Sequence, residues 1–174
     1  EEAIIEMKAG GVARREENAP QISVDAPILI PEAYVPDLDL RMGLYRRLGE
    51  LDDRAAIDEF AAELIDRFGK LPQETANLMK IVEVKLNCRA ANVAKLDTGP
   101  RGAVVTFGEG GPPSLDALFG YISRLKGAAK LRPDSKLSVA KDWPSPDARL
   151  NGALQLSRGL AKIAMAGAEM LEPA

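Results

Sequence analysis

Apolar and polar positions along the chain change their period several times, and each change marks an element. Residues 1–20 open on the helix-like "EEAIIEMKAGG" and pass into the charged run "VARREENAP". This reads as the end of a preceding domain's helix plus a linker, because the helix is too short to stand alone. In "QISVDAPILIPEAYVPD" the alternation of Ile22 and Val24 predicts a short strand, and three prolines then impose an extended, turning path. From Leu38 the period is helical. Asp37 is placed to cap a helix whose stripe is Leu40, Met42, Leu44, Tyr45, Leu48 and Leu51. A second helix, "LDDRAAIDEFAAELIDRFG", starts at Asp52 or Asp53. Its core face is predicted at Ile57, Phe60, Ala61, Leu64, Ile65 and Phe68. Gly69 and Pro72 end it. A longer helix follows Pro72, with Leu78, Ile81, Val82, Val84 and Leu86 dense enough to bury more than one side.

Strand-like runs then surround the turn Gly99-Pro100-Arg101-Gly102, which predicts a hairpin. An amphipathic helix capped by Ser114 buries Leu118, Ile122 and Leu125, and a second hairpin turns at Pro133-Asp134-Ser135. The last helix runs from about Ser145 to Ala166. Helices come first and hairpins later, so the expected class is α+β: helices packed on a small, largely antiparallel sheet with hairpins. Residues 1–20 are assigned to the linker and 21–174 to one domain.

Composition narrows the function. A net charge of −3 and a pI near 5.2 argue against a general nucleic-acid binder. No apolar run approaches the roughly 20 residues that span a bilayer, so no membrane partner is expected. Cys88, alone in the chain, has no internal disulfide partner, and a cytoplasmic setting is the simplest reading. With no histidine, the commonest general base and metal ligand are missing. No catalytic, cofactor-binding or metal-binding residue is assigned.

Candidate chemistry is correspondingly sparse. "FGEGGPPS" has the glycines of a phosphate cradle but no Lys-Ser/Thr pair, and Pro112 and Pro113 remove two backbone donors. It reads as a strand-to-helix loop. Arg46 and Arg47, and the segment from Lys126 to Lys136, are the only basic groupings, and they lack interleaved aromatics. Cys88 reads as a small buried hydrophobe, and Trp143 as a core or cap residue. The acids of the second helix are less easily dismissed. Asp52, Asp53, Asp58 and Glu59 sit towards the helix N-terminus, where the macrodipole favours them. Glu63 and Asp66 lie in the last two turns, where it does not. Glu59, Glu63 and Asp66 form a line at four- and three-residue spacing, and Arg67 is a well-oriented i, i+4 partner for Glu63. Either the line is solvated surface, or it docks a basic partner whose arginines match two acids one turn apart.

"YVPDLDLRMGLYRRL" followed by "ELIDRFGKLP", and then "KLD" and the glycine-valine-phenylalanine run from Gly102 to Phe107, resemble the C-terminal domain of bacterial transcription-repair coupling factors. The resemblance covers residues 20–140. It implies a parent ATP-driven DNA translocase, using ATP and Mg, that displaces stalled RNA polymerase and recruits the UvrA excision-repair protein. Residues 1–20 would then finish the translocase domain. The chain carries no Walker A sequence and no DExx box. The resemblance therefore implies a non-enzymatic, autoinhibitory domain. It would dock on the N-terminal UvrB-like module of the same polypeptide, mask its UvrA-binding surface and restrain translocation until polymerase is engaged. Glu59, Glu63, Asp66 and Arg67 are its partner-binding candidates, with Arg67 orienting Glu63. The alternative is a nucleic-acid- or polymerase-binding accessory domain acting through Arg46, Arg47 and the segment from Lys126 to Lys136.

Overall fold

A computed structural model describes residues 19–171, with side chains through residue 166. The helix and charged run expected before residue 19 lie outside the described residues. Two compact units are present, one of Pro27–Glu83 and one of Pro20–Ala26 with the chain from Val84 onward.

The first unit holds α1 (Leu38–Glu50), α2 (Arg54–Phe68) and most of α3 (Gln73–Ala90). Asp37 caps α1, its carboxylate accepting from the amides of Asp39 and Leu40, and Leu44, Tyr45 and Leu48 are its buried positions. Asp53, not Asp52, caps α2 by accepting from the Ala56 amide at 2.7 Å. Ahead of these helices, residues 27–37 follow an irregular path whose polar backbone still needs partners. α3 supplies them: Thr75 Oγ1 donates to the Leu29 carbonyl at 3.0 Å, and Asn77 Nδ2 donates to the Pro27 carbonyl at 3.1 Å. Tyr45 on α1 accepts from the Ile30 amide at 2.6 Å. Thr75 and Asn77 are fully buried, yet each is hydrogen-bonded, so their burial carries no desolvation debt.

The second unit contains a five-stranded sheet in the order β1-β2-β3-β5-β4. β1 (Gln21–Ser23) pairs parallel with β2 (Val93–Gly99), and every other pairing, through β3 (Gly102–Phe107), β5 (Lys136–Ala140) and β4 (Ala129–Leu131), is antiparallel. Both expected hairpins form, at residues 99–102 and 132–135. α4 (Leu115–Arg124), capped by Ser114, and α5 (Pro146–Leu171) lie against each other, with α5 also along β2 and β3. Leu96, Val105, Leu118, Leu137 and Leu160 form the centre of the core, together with Val84 and Cys88 from the end of α3. The fold is α+β, with five helices and one mixed sheet among the described residues. α3 ends at Ala90 and Asn92 takes a positive φ of 56°, so the apolar residues from Val93 onward belong to a strand.

Replacing Asn77 by Ala removes two part-buried hydrogen bonds, the one to the Pro27 carbonyl and the one from the Gln73 side-chain amide. Urea denaturation is expected to give a loss of about 1–3 kcal/mol, from two hydrogen bonds of about 0.5–1.5 kcal/mol each.

Candidate docking site

α2 presents the acids singled out in the sequence, and the structure separates them. At about 100° per residue, Ile57, Phe60 and Leu64 define the buried stripe. Glu63 and Arg67 fall on one flank, Ile65 on the other, and Asp66 faces away from the core between them. Ile65 was expected among the core residues. It is 49% exposed instead, because it stands one residue past Leu64 and lies beyond the edge of the stripe. Phe68, by contrast, is half-buried, its ring tilted at 58° against that of Tyr34 with centroids 5.7 Å apart. The Tyr34 hydroxyl reaches the Gly69 carbonyl at 2.7 Å, so the end of α2 is tied down even though its terminating Gly69 has a positive φ of 93°.

Glu63 is bound within its own unit. Arg47 of α1 donates from both terminal guanidinium nitrogens, Nη1 to Oε2 and Nη2 to Oε1, each at 2.7 Å. Arg67 adds a third bond to Oε2 at 2.9 Å, the i, i+4 pair read from the sequence. Both arginines are also stacked, Arg47 over Phe60 at 4.9 Å and Arg67 over Phe68 at 5.0 Å. The two-pronged Arg–carboxylate geometry and the rings beneath restrict both cations to one arrangement. The hydrogen bonds from Arg47, then the one from Arg67, pull the Glu63 carboxyl down to a pKa of about 2. In the sequence Arg47 stands beside Arg46 as a basic grouping. Nothing in the helical period of α1 or α2 pairs it with Glu63, sixteen residues on, because that contact depends on how the two helices meet.

Asp66 and Glu59 are exposed, with neither a hydrogen bond nor an ion pair among the described residues. The line of acids therefore has one member held internally and two that face solvent. Asp66 has Ile65 beside it, an acid next to an exposed apolar side chain.

A family model described as "TRCF domain" matches residues 24–118, more than half of the chain. The chain belongs to the TRCF-domain family of transcription-repair coupling factors. It is 38% identical over 141 residues to the transcription-repair-coupling factor of Rickettsia bellii, covering 81% of this chain and 12% of that protein. Against the same factor of Haemophilus influenzae it is 30% identical over 162 residues, covering 91% and 14%. A TRCF domain of this size thus spans well under a fifth of the length of these relatives. A crystal structure of the C-terminal domain of a transcription-repair coupling factor has the same fold, with a TM-score of 0.71 at 19% identity, over 86% of this chain and 96% of that one.

Because the folded Glu63 pKa lies below its ordinary value of 4.5, its stabilisation is fully present above pH 4.5 and is lost as pH falls towards about 2. The pair is a third or more exposed, so solvent screening limits it to about 1 kcal/mol. Glu63→Gln is expected to lower the unfolding free energy by about that amount at pH 7, with the gap closing between pH 4.5 and about 2. Urea midpoints measured across this range check it; a gap that does not change with pH contradicts the assignment.

Proposed function

We propose that this TRCF domain is a non-enzymatic docking module of a transcription-repair coupling factor. In this reading it closes on an N-terminal UvrB-like module of the same polypeptide, covers the surface that binds UvrA, and holds back a cytoplasmic ATP-driven translocase until RNA polymerase is engaged. The observation that carries the proposal is the placement of Asp66. An acid in the last turn of a helix opposes the macrodipole by a few tenths of a kcal/mol or more, has no internal partner, and adjoins the exposed Ile65. A charge next to an apolar side chain has the character of a small protein interface, in which burial supplies affinity and the charge supplies register.

The four candidate residues then divide by role. Asp66 meets a basic residue of the partner directly, Ile65 packs beside it, and Glu59 extends the acidic surface two turns away. Glu63 and Arg67 shape the flank. A carboxylate has about four acceptor positions and three of Glu63's are occupied, so it can take at most one further donor without releasing an arginine. Such a contact has modest strength, which suits a closed state that polymerase engagement must open by shifting a population. The competing accessory-domain reading is weakened because Arg47, one of its few cations, is engaged by Glu63.

Titrating the chain against a separately produced UvrB-like module by calorimetry tests the proposal. Asp66→Arg is expected to weaken binding about tenfold, or 1.4 kcal/mol, while leaving the urea midpoint in place. Unchanged affinity, or a strong salt-sensitive shift of DNA in a gel by the wild-type chain, contradicts it.

A further inference from the structure

A cavity of about 670 Å³ opens on the second unit, between the end of β5, α4 and α5, well away in sequence from the acids of α2. This volume lies within the range of ligand-binding clefts. Its walls combine Tyr121, Leu125, Trp143 and Leu156 with the amides of Asn151 and Gln155. Three cations, Lys141, Arg158 and Lys162, line it, and no carboxylate does, in a chain whose net charge is −3. Lys141 and Lys162 are exposed, with no carboxylate partner among the described residues.

The wall is built to hold its shape. Gly152 and Gly159 stand seven residues apart on α5, two helical turns along one face. A Cβ at Gly152 would come within 2.2 Å of the Trp143 ring, and one at Gly159 within 2.6 Å of the Tyr121 hydroxyl. Both rings therefore rest on bare helix backbone, at a cost in helix propensity. The segment carrying Trp143 is pinned as well. The Trp143 amide donates to the Pro100 carbonyl at 2.9 Å, and its own carbonyl accepts from Arg149 Nε at 3.1 Å. Arg149 is anchored in turn by Asp25, at 2.6 Å. A preformed cleft gives up little ordering entropy when it is filled.

We propose that this cleft binds a short acidic peptide segment bearing an aromatic or large aliphatic side chain. The apolar side chain enters between Tyr121 and Trp143. The flanking acids meet Lys141 and Lys162, and the side-chain amide of Gln155 pairs with the peptide backbone. Peptide is favoured over a nucleic-acid strand by charge. A short peptide senses the local cations within a Debye length of about 8 Å, whereas a long polyanion is repelled by the acidic remainder of the chain and finds no extended basic track.

Trp143 is the only tryptophan in the chain, so its emission reports on this cleft alone. The full chain is titrated with a short peptide of aspartates and glutamates around a central phenylalanine, with its Asn/Gln counterpart, and with an oligothymidylate. The acidic peptide is expected to shift Trp143 emission to the blue and saturate. Its affinity should fall about tenfold, or 1.4 kcal/mol, with Lys141→Glu or Lys162→Glu, and stay unchanged with Lys130→Glu, outside the cleft. No spectral response to the acidic peptide overturns the proposal. So does equal binding of the uncharged peptide, indifference to the two lysine substitutions, or a response to oligothymidylate alone. Both lysines are exposed, so their substitution leaves the fold in place, as an unchanged circular dichroism spectrum would verify.

Discussion

Glu63 has one carboxylate, and most of its hydrogen-bonding capacity is used inside its own unit. The charge of the α2 surface follows from it. With two guanidinium groups against one carboxylate, the Arg47–Glu63–Arg67 cluster carries a net positive charge, although the sequence presents it as part of an acidic line. A basic partner approaching this helix is therefore attracted to Asp66 and the exposed carboxylates near the helix start, and meets repulsion on the Glu63 flank. The cluster also fixes how α1 and α2 meet at this point, through a two-pronged bond with an arginine stacked on Phe60. It adds little to overall stability, which comes from the buried stripe of Ile57, Phe60 and Leu64.

Much of the architecture could be read from local signals. Asp37, Asp53 and Ser114 cap where a short polar side chain precedes a helical period, and Gly69 ends a helix in the positive-φ conformation it alone adopts easily. The two hairpins follow from their turn residues. What could not be read was the pairing of distant residues: β1 alongside β2 in parallel register, Thr75 and Asn77 holding the proline-rich segment, Arg47 closing on Glu63. None of these has a period or a spacing, because each depends on how separate elements meet. Ile65 shows the limit of a period itself. At one position past the stripe, three- and four-residue spacing admits a residue to the core that the geometry leaves outside.

The acids illustrate the same limit in function. Helix electrostatics flagged Glu63 and Asp66 alike, since both lie near the negative end of the dipole. Only the three-dimensional arrangement distinguishes one relieved by two arginines from one without internal relief. The second unit follows a parallel logic in its glycines: Gly152 and Gly159 weaken α5 as a helix and make sense only beside the rings of Trp143 and Tyr121. In both units, a residue poorly suited to its own element is explained by a neighbour from another.

Whether Glu63 serves its own unit while Asp66 is left for a partner is decided by a double-mutant cycle between Arg47 and Glu63. Unfolding free energies of the wild type, Arg47→Met, Glu63→Gln and the combined variant are measured at neutral pH and low salt. The account predicts that the single losses do not add, leaving a coupling of about 1 kcal/mol. Strictly additive losses would mean that Arg47 does not hold Glu63 in solution, and would return Glu63 to the docking surface with Arg67 alone beside it.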